Sequence, residues 1–74
     1  MEQKLSDIPQ GSRVTIAQLH FDKRMLKKLC NLGIYKLQTL VVEGRCAGGL
    51  VLAGTWGKVA VDRLLAQNII VRAA

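Results

Sequence analysis

The stretch Leu50-Val51-Leu52-Ala53-Gly54-Thr55-Trp56-Gly57-Lys58-Val59-Ala60-Val61 decides the fold. Leu50–Ala53 and Trp56–Val61 are short runs suited to strands, with Gly54 between them. An interval this short joins two such runs as a hairpin. One hairpin does not bury its own apolar face, so it calls for further strands around it.

Those strands are found by reading outward. Upstream, Leu37–Val42 is a β-rich run, and Glu43–Gly49 reads as a loop carrying Gly44, Gly48 and Gly49. Downstream, Arg63–Gln67 suits a single helical turn, and Ile69–Arg72 is a last short strand. Near the start, Val14 and Ile16 alternate with Arg13 and Thr15, which marks Arg13–His20 as the first strand. Before it, Leu5–Gly11 reads as a lead-in broken by Pro9 and turned at Gly11.

One segment has a different period. In Asp22–Leu32, Met25, Leu29 and Leu32 recur at helical spacing with Leu26 beside them. Arg24, Lys27, Lys28 and Asn31 make the opposite face. Asp22 suits the N-cap, and Gly33 stands where a left-handed glycine ends a helix. At about eleven residues this helix is marginal alone and must pack on something. The expected architecture is mainly β: a small five-stranded barrel with one α-helix after the first strand and a short helical turn before the last. The pattern alone fits an SH3-like or an OB-like barrel.

The chain has 74 residues, enough for one small domain spanning 1–74. Eleven Lys and Arg stand against five Asp and Glu, a net charge of +6 that points to a negatively charged partner. The longest uncharged stretch, Cys46–Gly57, is broken by glycines and far short of the roughly 20 residues of a membrane span. Met1–Asp7 has no apolar signal core, so a cytoplasmic setting with both cysteines reduced is expected. The soft metal ligands, His20, Cys30 and Cys46 with Met1 and Met25, form no CxxC or HExxH spacing, so no metal site is expected. His20 reads as a surface histidine and Cys30 as a small buried hydrophobe. No phosphate loop and no nucleophile paired with a base are present, so neither an enzyme nor a cofactor is expected.

The order of these elements, with Leu5-Ser6-Asp7-Ile8, Leu29-Cys30-Asn31-Leu32-Gly33-Ile34, Leu50–Gly54, Val59–Val61 and the closing Ala66, Ile69 and Val71, resembles the FeoA family over Leu5–Val71. Lys36-Leu37 replaces the family's usual Pro-Gly turn, and Cys46-Ala47-Gly48-Gly49 replaces its proline-containing loop. The resemblance implies an SH3-like barrel and an accessory role in ferrous iron uptake. It implies a partner, the cytoplasmic region of a FeoB-like transporter, through which the protein would reach the membrane. The same domain type resembles the C-terminal part of some iron-dependent repressors. No helix-turn-helix is seen here, so the free-standing form is expected.

Docking would fall on the helix. Lys23, Arg24, Lys27 and Lys28 make a cationic face, and Lys23 and Arg24 sit in the first turn, where the helix dipole disfavours cations. Helix stability did not select them. Leu29, Leu32 and Gly33 first serve packing and the helix stop, and join the partner-binding set because this helix is the most exposed element to dock. A small nucleic-acid-binding barrel is the alternative. The charge favours it, but of the aromatic residues only Tyr35 and Trp56 are candidates to stack bases. Homo-oligomerisation through a strand edge at Leu50–Ala53 is a further expectation.

Overall fold

The computed structural model describes all residues, 1–74. Six antiparallel strands form one sheet in the order β1-β6-β2-β3-β4-β5. They are β1 (Glu2–Lys4), β2 (Arg13–Leu19), β3 (Thr39–Cys46), β4 (Gly49–Gly54), β5 (Gly57–Asp62) and β6 (Ile69–Ala73). A 3-10 turn at Leu5–Asp7 follows β1, helix α1 (Lys23–Asn31) follows β2, and helix α2 (Arg63–Gln67) precedes β6. The five expected strands are present, together with a sixth. Glu2-Gln3-Lys4 is polar and wholly exposed, so no apolar alternation marks it; it is a strand because it pairs with Arg72, Val71 and Ile70.

The inward residues of the strands meet in one core. Ile16, Leu52, Val42, Ile69 and Val71 are fully buried there, joined by Leu5 from the 3-10 turn and Ala66 from α2. α2 therefore plugs the sheet from one end. Its first residue ties it to the β3–β4 turn: the Arg63 backbone N–H donates to Gly48 O at 3.1 Å, and its guanidinium donates to Ala47 O at 2.7 Å. The 3-10 turn is latched from β3, where the Arg45 guanidinium donates to Ser6 O at 2.9 Å and also to Ile8 O.

Two bulges alter the expected alternation. In β2 the register with β6 shifts between Ile16 and Gln18, so Ala17 is buried and Gln18 exposed. The extra residue re-aims the side chains that follow it. In β3 the register shifts between Val42 and Gly44, leaving Glu43 as the extra residue. The expected loop over Glu43–Gly49 is thus corrected. β3 runs to Cys46, and only Ala47 and Gly48 turn the chain into β4, because main-chain pairing with β4 carries the strand through its polar residues. Leu50–Ala53 is not an edge either, since β4 lies between β3 and β5.

The expected strand start at Leu37 moves to Thr39. Leu37 has φ +73°, the only non-glycine residue with positive φ, and its N–H donates to Ile16 O at 2.8 Å. Leucine thus occupies a left-handed position that glycine favours. α1 keeps both expected ends. Asp22 Oδ1 accepts the Met25 N–H at 2.8 Å, Gly33 has φ +88°, and the Ile34 N–H returns to Leu29 O at 2.8 Å. Ile34 is buried immediately beyond the stop, which fixes where α1 leaves the sheet.

Three substitutions, one of them a control, test these placements by urea unfolding. A Cβ at Gly49 would overlap the Val61 carbonyl oxygen and come within 2.9 Å of Asp62 Cα, whereas one at Gly48 meets nothing within 4 Å. Gly49→Ala is expected to cost about 2–3 kcal/mol. Gly48→Ala is the control, expected within about 0.5 kcal/mol of the parent. Leu37→Gly is expected to stabilise by about 0.5–1 kcal/mol, since relief of the left-handed strain exceeds the entropy glycine adds to the unfolded chain. A destabilised Leu37→Gly would show that the Leu37 side chain contributes more than its turn costs.

Candidate protein-docking surface

α1 lies outside the barrel and is held to it by one fully buried side chain, Leu29, with Met25 packed more loosely against the core. This follows from its short apolar stripe: the opposite side of each turn is charged. Lys23, Arg24, Lys27 and Lys28 are all exposed. The helix contains no acidic residue, and its cap carboxylate Asp22 is engaged with the Met25 N–H. The molecule has one ion pair, Lys58 Nζ to Glu43 Oε1 at 2.8 Å, where the Glu43 hydrogen bond and charge hold the Lys58 ammonium above its ordinary range. The four α1 cations thus make no ion pair within the molecule, and the cap Asp22 is the one carboxylate lining their recess.

The residues read from the sequence separate on this surface. Arg24 and Lys28, one turn apart, flank a shallow recess with Phe21 and Met25 in it, so cations stand around apolar atoms. Lys23 and Lys27 stand one turn apart beside them. Leu29 is 1% exposed and belongs to the core, out of reach of a partner. Leu32 is 50% exposed and lies on the rim. Gly33 lies under the Trp56 indole, which would overlap any Cβ placed there, and Gly54 sits on the same ring. The two glycines let the tip of the β4–β5 hairpin hold the end of α1. Leu32, Gly33, Trp56 and Val59 line a second recess at that junction.

Phe21 was the neighbour missed by periodicity, because it precedes the helix. Its signal is positional: an apolar residue just before the N-cap, with Leu26 four residues into the helix, is the pattern of a hydrophobic staple. Trp56 reads from the sequence as a strand residue, yet it occupies the hairpin turn and works as a clamp.

The soft ligands do not converge. No three of His, Cys, Asp and Glu are grouped to hold a metal ion. His20 is exposed. Cys30 is exposed as well, which corrects its expected burial: it follows Leu29 by one residue, about 100° around the helix, and faces away from the core. Cys46 is exposed at the β3–β4 turn. No helix is long and apolar enough to cross a membrane.

This architecture is shared with known proteins. The structure of an iron uptake regulatory protein (FeoA) matches with a TM-score of 0.90 at 20% identity, covering 100% of both chains. A FeoA-like protein from Clostridium acetobutylicum matches with a TM-score of 0.83 at 16% identity, over 97% of this chain and 86% of that one. A manganese-dependent transcriptional repressor matches with a TM-score of 0.88 at 26% identity, but this chain spans only 42% of the repressor's length. No curated protein matches the chain. The model of the FeoA domain matches residues 3–73, nearly the whole chain, and the protein belongs to the FeoA family.

Proposed function

We propose that this protein is a non-enzymatic, cytoplasmic accessory factor of ferrous iron uptake that docks through α1 on the cytoplasmic region of a FeoB-like transporter. Membership of the FeoA family supports a role in iron uptake. The observation that carries the docking reading is the cationic face of α1, whose four cations make no ion pair in the molecule, placed beside the recess of Phe21 and Met25. The cations supply orientation and association rate toward an acidic surface, while the recess and Leu32 supply apolar contact. Any nucleotide chemistry then belongs to the transporter.

The net charge of +6 also suits a nucleic acid. Trp56 is less suited to that role, because its ring is wedged against Gly33 and Gly54 rather than presented as a free stacking platform.

Titration of the purified protein against the transporter's cytoplasmic domain tests the proposal. Saturable binding is expected at about 50 mM salt and weaker binding at about 300 mM, as screening shortens the reach of the cations. Arg24→Glu with Lys28→Glu is expected to reduce affinity about tenfold or more and to flatten the salt dependence. The double variant should unfold close to the parent, because the helix-dipole gain of Arg24→Glu in the first turn offsets the loss of Lys28→Glu in the last turn. Unchanged binding by this folded variant would overturn the docking face. Salt-dependent binding to an oligonucleotide with none to the transporter domain would select the nucleic-acid reading.

A further inference from the structure

The open edge of β5 carries a pattern that is its own complement. β5 pairs with β4 on one side and with no strand on the other. Its register with β4 runs from Gly54↔Gly57 to Gly49↔Asp62. The turn between them has two residues, so the series begins on a hydrogen-bonded pair at Gly57. The Arg63 N–H, which donates to Gly48 O, continues the same series beyond the strand. Gly57, Val59 and Val61 therefore direct their N–H and C=O groups at β4. Lys58 and Ala60 direct theirs away from the sheet, where no loop, turn or cap bond reaches them. Asp62 also faces outward, but as the N-cap of α2 its carbonyl opens the helical hydrogen-bond series and its Oδ1 accepts the Leu65 N–H at 2.7 Å.

Set antiparallel to a second copy of itself with Ala60 opposite Ala60, this segment places Lys58 opposite Asp62 at both ends and Val59 opposite Val61 between. Each outward-facing residue then meets an outward-facing residue, as the alternation of antiparallel hydrogen bonds requires. The side chains agree too. Lys58, Ala60 and Asp62 share the exposed face, where opposite charges meet across the strands, and Val59 and Val61 share the inner face. A lysine on an open edge ordinarily discourages pairing with foreign strands. Lys58 already pairs with Glu43 in its own chain and Asp62 caps α2, so across the axis the opposite charges add to contacts each makes at home and fix the register more than the strength.

We infer that β5 is a self-recognition edge, through which two copies of this chain join their sheets around a twofold axis at Ala60. The interaction is isologous, so it closes at the dimer. The area is small, since stable interfaces bury about 1,200–2,000 Å² and a single strand edge gives less. The dimer is accordingly weak and concentration-dependent. The other open edge, β1, is shorter and has no buried residue, so it lacks the apolar pairs that β5 supplies.

Sedimentation and amide NMR over a dilution series test this. The expected result is a monomer–dimer equilibrium in which the Lys58, Ala60 and Asp62 amides shift with concentration while those of Glu2–Lys4 do not. Ala60→Pro is the decisive variant. Proline removes an N–H that the monomer does not use, at a place where edge strands tolerate it, and so spares the fold. It deletes both hydrogen bonds at the twofold axis and should weaken the dimer about tenfold or more. A chain that stays monomeric at millimolar concentration, a dimer unaffected by Ala60→Pro, or open-ended association would each overturn the inference. The amide readout on the unmodified chain decides the matter even if the proline variant folds poorly.

Discussion

A single sheet has two faces, and a chain of 74 residues has little material with which to cover them. This constraint organises the molecule. Six strands curl so that their inner sides face one another, and Leu5 and Ala66 close the end from the 3-10 turn and α2. The strands leave so little room that β4 must pass against the Val61 carbonyl without a side chain at Gly49. Once the interior is filled in this way, α1 has no place inside. It rides on Leu29, and its remaining turns are free to carry charge. The exposed helix and the unpaired β1 and β5 edges are both results of closing so small a core.

How much of this was legible in the sequence depended on how local the cause was. α1 was legible at both ends because its cap, stripe and stop lie within one segment, Asp22 to Gly33. The β4–β5 hairpin was legible because its partners are neighbours. β1 was hidden, since Glu2-Gln3-Lys4 becomes a strand only through residues 70–72 at the far end of the chain. The far half of β3 was hidden for a related reason: Gly44 and Arg45 lack strand character, and pairing with Leu50 and Val51 imposes it. Leu37 shows the opposite conflict. Its residue type speaks for a strand, yet its N–H donating to Ile16 O, with the Ile16 N–H returning to Gln38 O, holds it in a turn.

The candidate docking surface was partly legible. Lys23, Arg24, Lys27 and Lys28 could be placed on one helix from spacing alone, and they are exposed on it. The apolar ground beside them could not be placed, because Phe21 lies before the helix and Trp56 arrives from a distant hairpin. The exposure of Cys30 could not be placed either, because a helix this thinly packed buries only one narrow line of residues, and one step beyond Leu29 is already solvent.

The same barrel serves as a free domain in FeoA proteins and as 42% of a manganese-dependent repressor, so the fold by itself does not specify a task. What distinguishes one use from another must lie on surfaces that the core does not dictate. In this chain two such surfaces point in different directions chemically. The face of α1 is of one sign, and like charges keep two such faces apart. The edge of β5 carries one charge of each sign, arranged so that each stands opposite its counterpart in a copy of itself. A cationic face that repels its own kind and an edge that attracts it therefore sit on one small molecule as neighbours. Because Lys58 and Val59 share a recess with Cys30, Asn31 and Leu32 at the end of α1, a copy joined at β5 would stand beside the docking helix, and each association would be felt by the other.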